Sequence, residues 1–184
     1  MGSRKDFIQS ELLVIRYLRG DEEAFEELVH LWRQPLFYYI RRVVDTEQDA
    51  WDTMQETWLT VSQKARRLRE PAAFPAWLYK IARNAAIDHA RKNRAFAPLP
   101  EEKSTMSTRA SDTEQISLAL DAERLHWGLA QLAPLHREVL ILHFLEGFSL
   151  AEISDVTRVP LGTVKSRIHH AKQALRNVLE REAS

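Results

Sequence analysis

The chain has 184 residues, 26 Lys and Arg balanced by 26 Asp and Glu, 45% hydrophobic residues and no cysteine. This length admits one large domain or two small ones, and the lack of cysteine excludes a disulfide framework, a thiolate zinc site and a thiol redox switch. No apolar run approaches a bilayer span, so a cytoplasmic protein with no membrane span of its own is expected.

The zero net charge hides a segregated distribution. Residues 21–56 carry ten acids against three bases, residues 64–94 nine bases against two acids, and residues 95–123 six acids against two bases. Separate acidic and basic patches predict partners of opposite kinds. Helical period in almost every window, with only five glycines, predicts an all-α fold.

In chain order, residues 4–19 alternate charge with Phe7, Ile8, Leu12, Ile15 and Leu18, an amphipathic helix ending at Gly20. Asp21 is expected to cap a second helix. Its Glu22, Glu23, Glu26 and Glu27 favour the positive end, and Phe25, Leu28, Val29 and Trp32 face inward. Pro35 is expected to open a third helix carrying Leu36, Phe37, Ile40 and Val44. Thr46 starts a longer helix to about Ala65, its apolar stripe running through Ala50, Met54, Trp58, Val61 and Ala65. Asp49, Asp52 and Glu56 form a separate acidic stripe with Gln55 beside it. Pro71 ends the basic stretch that follows.

From Phe74 to Arg94, Phe74, Trp77, Leu78, Ile81, Ala82 and Ala85 point inward, while Lys80, Arg83, Arg91 and Arg94 repeat on an outer stripe with Asn84 nearby. Residues 95–113 show no period and hold Pro98 and Pro100, which predicts a flexible linker. Helical period resumes at Glu114, and Pro134 opens a helix with Leu135, Val139, Leu140, Leu142 and Leu145.

Ser149 to Arg176 predicts a helix, a tight turn and a second helix. Ser149 and Glu152 have the spacing of a capping box. Thr157, Arg158 and Val159 make the turn, and Pro160 suits a helix start. Val164, Ile168, Ala171, Leu175 and Val178 then recur at steps of four and three, a buried stripe. The opposite side carries Lys165, Ser166, His169, Lys172, Gln173 and Arg176, flanked by Arg167 and His170. Between Arg158 and Arg176 stand five Lys or Arg and no acid. A second helix with donors on its outer face is what a major-groove reader requires.

Val159-Pro160-Leu161-Gly162-Thr163-Val164-Lys165-Ser166-Arg167 resembles the V-P-x-G-T-V-K-S-R run of bacterial RNA polymerase sigma factors, closest to their extracytoplasmic-function (ECF) subgroup. Gly20-Asp21 to Ala24-Phe25 resembles the opening of the first conserved domain of that family. Asp49-Ala50-Trp51-Asp52 with Gln55-Glu56 resembles its D-A-E-D…Q-E segment, with Trp51 in place of the usual acid. Trp51 is either an extra core anchor or a hydrophobic addition to a docking surface. Phe74, Trp77-Leu78, Ile81-Ala82, Asn84 and Ile87-Asp88 match the family's minus-ten segment.

The resemblance implies two small helical domains joined by a flexible linker: 4–94, like sigma region 2; linker 95–113; and 114–182, a helix-turn-helix domain like sigma region 4. It implies docking of Asp49, Asp52, Gln55 and Glu56 on a coiled coil of the polymerase β′ subunit, and a contact of the second domain with the β flap. Minus-thirty-five contacts are implied for Arg158, Gly162, Thr163, Lys165, Ser166, Arg167, His169, His170 and Lys172. Of these, Arg158, Arg167 and Lys172 are expected on phosphates. Minus-ten contacts are implied for Thr60, Lys64, Leu68, Lys80, Arg83, Asn84 and Arg91. The implied partners are RNA polymerase core, promoter DNA and an anti-sigma factor, with nucleoid association in holoenzyme.

No phosphate-cradling Gly-rich loop, His-Glu-x-x-His pair or nucleophile elbow occurs, so no enzymatic chemistry, metal or cofactor is expected. A free-standing regulator would use residues 149–176 but leave the acidic stripe and the Asn84 segment without a role.

Overall fold

The computed structural model of the chain describes residues 4–44, 46–94 and 122–182. Among them the α-helices are α1 (Arg4–Leu18), α2 (Glu23–Arg41), α3 (Glu47–Lys64), α4 (Phe74–Arg94), α5 (Ala122–Ala130), α6 (Pro134–Leu140), α7 (Leu150–Thr157) and α8 (Leu161–Glu182), with no strand between them. The fold is all-α, as its periodicity predicts. Residues 95–121, which hold the expected linker and the start of the expected second domain, lie outside the described residues.

The helix ends follow local chemistry. Gly20, with φ of 100°, takes the left-handed conformation that stops α1. Glu22 is the residue at the N-cap of α2, one later than expected. Asp21 still supplies the capping group, its Oδ1 accepting from the Ala24 N–H at 3.3 Å. Thr46 and Asp49 close a reciprocal capping box on α3, and Ser149 and Glu152 do the same on α7.

Pro35 does not open a helix. It lies inside a continuous α2, although proline in a helix interior removes an N–H and clashes with the preceding turn at a cost of about 3 kcal/mol. Trp32, Leu36, Tyr39 and Ile40, all at 0% exposure, keep one buried stripe in register across it. At about 1.5–3 kcal/mol for each large side chain buried, this packing outweighs the break.

Helices α1 to α4 pack around Leu28, Trp32, Leu36, Phe74, Leu78 and Ala82. In the second half α8 lies against α5, α6 and α7, burying Val164, Ile168, Ala171 and Leu175 with Val139, Leu142, Ile153 and Val156. Helix α6 runs directly into a π-helical turn, Ile141–Leu145. Gly147, with φ of 75°, then turns the chain into Phe148.

The halves are not separate bodies on a string. Helix α4 packs on α7. The Phe148 ring is buried with its centroid 5.3 Å from Phe7 and 5.0 Å from Tyr79, and Tyr79 continues the aromatic cluster to Trp32 and Tyr39.

Candidate functional site

The helix-turn-helix is built by burial on one side and by the turn on the other. Arg158 closes α7 in the left-handed region, φ 56° and ψ 37°. The Ser154 hydroxyl donates to the Val159 carbonyl at 2.6 Å, and the Pro160 carbonyl accepts the Val164 N–H at 3.1 Å to start α8. With Val164 and Ala171 fully buried, the helix must present Lys165, Ser166, His169, His170, Lys172, Gln173 and Arg176 to solvent; all are exposed. Thr163 and Arg167 are half-buried at the edge, and Gly162 and Arg158 are exposed at the helix entrance. A Cβ on Gly162 would meet nothing within 4 Å, so the fold itself does not require glycine there. The Lys172 ammonium lies 4.9 Å from the centre of the exposed Phe144 ring.

The acidic stripe on α3 divides. Asp52, Gln55 and Glu56 are exposed together, and Asp52 accepts from the Gln48 amide at 3.1 Å. Asp49 turns away: its carboxylate accepts the Thr46 N–H at 3.3 Å and lies 3.6 Å from His89 on α4. Trp51 is half-buried, stacked on Phe37 at 4.2 Å between centroids, with the Arg33 guanidinium 5.9 Å from its ring. These three residues line one open groove of 580 Å³ with Gln34, Tyr38, Arg41 and Arg42. Trp51 therefore anchors on α2 through Phe37 and forms part of the wall of this groove.

On α4 the expected outer basic stripe is interrupted. Lys80 pairs with Asp155 of α7 at 2.7 Å, and Arg83 pairs with Glu138 of α6, Nε to Oε1 at 2.7 Å. The expectation that both face solvent is corrected: α6 and α7 cover this part of α4. Asn84 beside them is half-buried and Arg91 is exposed. Thr60 and Leu68 are half-buried and Lys64 exposed at the far end of α3 and its exit, and α3 packs along α4. The Arg94 side chain lies outside the described residues.

Pattern reading missed Glu138 and Glu146. Both are buried, and both accept from tyrosines of the first half: Tyr39 Oη to Glu138 at 2.9 Å and Tyr79 Oη to Glu146 at 2.7 Å. Burial first, then the nearby carboxylate, holds each phenol well above the usual tyrosine range. Burial lowers the Arg83 pKa, but the Glu138 charge and hydrogen bonds more than offset this, so it stays raised. A signal was present in the sequence: Glu138 and Glu146 fall in helical register with Leu135, Val139, Leu142 and Leu145, acids on a stripe that should be apolar. Arg137 was also missed. It donates to the carbonyls of Leu129, Ala130 and Leu132 at 2.8–3.0 Å, tying down the end of α5.

Among the described residues no His, Asp and Glu cluster is placed to hold a metal, and no helix is long and apolar enough to cross a membrane. The arrangement offers a helix with a donor-rich outer face, an acidic surface, an aromatic groove, and a basic helix face shared with the other half.

Comparisons with known proteins agree with this layout. Residues 28–96 match the family model Sigma-70 region 2, and residues 123–175 match Sigma-70, region 4. The chain is 32% identical over 187 residues to the RNA polymerase sigma-H factor of Pseudomonas aeruginosa, with 94% of each chain covered. It is 30% identical over 178 residues to the ECF RNA polymerase sigma factor SigM of Mycobacterium tuberculosis, covering 97% of this chain and 88% of that relative. Among solved structures its fold resembles that of CnrH in complex with the cytosolic domain of CnrY, with a TM-score of 0.67, 24% identity, and 94% of this chain and 98% of that chain covered. With both region models matched in order and relatives aligned over most of their length, the chain belongs to the extracytoplasmic-function sigma factors of bacterial RNA polymerase.

Proposed function

We propose that this sigma factor docks on RNA polymerase core through Asp52, Gln55 and Glu56, reads a minus-thirty-five element with α8, and captures melted minus-ten DNA beside Asn84. The working units are residues 4–94 and 114–182, with 95–113 as tether. The observation that carries this reading is the two-sidedness of α8. Its apolar stripe is spent on the core, which leaves Lys165, Ser166, His169 and His170 pointing outward along one helix that fits a major groove. Arg158, Arg167 and Lys172 flank that face and suit phosphates, while Gly162 and Thr163 let the helix entrance approach the DNA backbone closely. Asp49, engaged in its cap, supports the docking face by fixing the start of α3. The β′ coiled coil is the proposed partner of the acidic face and the β flap that of the second half. An anti-sigma factor is proposed as regulator, by analogy with the sigma factor RpoE of Bartonella quintana, a similar fold solved in complex with the anti-sigma factor NepR.

Two substitutions separate reading from anchoring. In holoenzyme, Lys165→Ala should cost about 1–3 kcal/mol on the preferred upstream element and relax preference at one or two base pairs. Lys172→Ala should weaken all sequences alike and flatten the salt dependence of binding. Equal losses on specific and random duplex for both variants would remove base reading from α8.

Arg158 tests the turn itself. A side chain in the left-handed region costs roughly 1 kcal/mol or more, so Arg158→Gly should raise the thermal midpoint by about 2–4 °C for a chain of this size. It should also lower affinity for duplex DNA, because the phosphate contact goes. A melting curve and a DNA titration on the same sample check both halves.

A further inference from the structure

We propose that the groove between α2 and the start of α3 binds a nucleoside polyphosphate, its base against Trp51, Phe37 and Arg33 and its phosphates against Arg41 and Arg42. The inference stands on these two helices and goes beyond the proposed docking and promoter reading.

The sequence makes the groove on one side of α2. Trp32, Leu36, Tyr39 and Ile40 are buried in the core. The side left outward carries two rows at steps of four, Arg33-Phe37-Arg41 and Tyr38-Arg42. Trp51 of α3 stacks on Phe37 with 4.2 Å between centroids. Together these residues line the open groove of 580 Å³, inside the range of about 300–1,000 Å³ typical of small-ligand sites. Its two ends differ. Trp51, Phe37 and Arg33 meet at one, and Tyr38 and Arg42 meet at the other. Arg33 and Arg42 are nine residues apart in sequence, about 13 Å along a helix axis, so the groove suits an elongated ligand.

Both chemistries that a nucleotide needs are present. The Arg33 guanidinium lies 5.9 Å from the centre of the Trp51 ring and that of Arg42 4.3 Å from the centre of the Tyr38 ring. These cation–π contacts hold two guanidiniums beside the rings, and a planar guanidinium takes two phosphate oxygens at once. Among the described residues no carboxylate lines the groove. The Arg42 Nε is buried with no hydrogen-bond partner among them. Burial first, then the Arg42 charge, holds His126 and Arg137 below their usual ranges. An anion beside Arg42 relieves that repulsion. The attraction of cations to a helix C-terminus accounts for Arg41 and Arg42, but not for Arg33 about two turns earlier. A nucleic-acid strand fits less well than a single nucleotide. It needs a basic track several nucleotides long, and past Trp51 the exposed face of α3 carries Asp52 and Glu56.

The test is calorimetric titration of the full chain with GDP, guanosine and inorganic pyrophosphate. GDP should saturate a single site. Guanosine and pyrophosphate, which each fill one end only, should bind at least about tenfold more weakly. Arg33→Gln and Arg42→Gln should each lower GDP affinity about tenfold, the loss of one charge-assisted contact. Arg33 is exposed, so its variant keeps the test readable if Arg42→Gln fails to fold, and helical circular dichroism tells the two apart. Lys165→Ala, on the far α8, should leave GDP binding unchanged, which separates the groove from general polyanion binding. No heat with millimolar GDP would overturn the site. Pyrophosphate binding as tightly as GDP would reduce it to an anion site and overturn the nucleotide. Parent-like GDP affinity in both arginine variants would place the binding elsewhere. Displacement of GDP by an equal concentration of an acidic peptide, polyglutamate, would assign the groove to a protein partner instead.

Discussion

Reversing Asp52 and Glu56 to lysine is expected to weaken binding of the chain to RNA polymerase core at least about 30-fold, the equivalent of about 2 kcal/mol. Both side chains are exposed on α3, where Asp52 accepts from Gln48 of the same helix, so the melting curve should stay within about 0.5 kcal/mol of the parent, as for surface substitutions generally. Asp49 must be left intact in this experiment. Its carboxylate completes the Thr46 capping box, and losing a cap costs about 1 kcal/mol of stability, which would confuse docking with folding. Trp51 adds a second handle. Trp51→Ala removes part of the groove wall and the stack on Phe37, so it should lower both core affinity and stability. Parent-like core affinity in the double reversal, with parent-like melting, would dismiss the acidic face as a docking surface.

Asn84→Ala is expected to cut open-complex formation on duplex promoter DNA about 30-fold while leaving core binding unchanged. Melting without an energy source requires that an unstacked base gain more from the protein than from water, and unstacking costs a few kcal/mol. One amide supplies both a donor and an acceptor to a base edge, and a half-buried position on α4 gives it a partly dry setting in which those bonds are worth more. On a template with a premelted bubble the unstacking cost is already met, so most activity should return, with altered preference at a single position. Parent-level activity on duplex would refute base capture at Asn84. Asn84 lies beside Arg83, which Glu138 holds. The Asn84 and Glu138 effects are therefore close enough to be non-additive, and a double-mutant cycle would measure their coupling.

Much of the architecture was legible because it is local. The stripe Val164, Ile168, Ala171, Leu175 fixes which side of α8 is buried, and the Ser149–Glu152 and Thr46–Asp49 spacings announce two helix starts that the structure closes as capping boxes. Pro35 misled for an equally physical reason. Its local preference is to start a helix, but the buried register from Trp32 to Ile40 continues through it. The contacts between the halves were beyond local reading. Glu138 needs Arg83, 55 residues away, and Tyr39, 99 residues away, and periodicity carries no information at that range. What the pattern did hold was an anomaly, two acids on an apolar stripe, whose partners only the packed structure supplies. The same limit explains Lys80 and Arg83, which by spacing alone belong to a solvated basic face.

Run-off transcription with purified core polymerase, followed by mapping of transcript starts over a library of bacterial promoter fragments, tests the central claim most directly. The account predicts that core alone gives no specific starts. Core with this chain should give a defined set sharing two short elements at fixed separation, the upstream one relaxed by Lys165→Ala and the downstream one by Asn84→Ala. No specific starts with core, or promoter duplex bound equally tightly by the chain with and without polymerase, would contradict it.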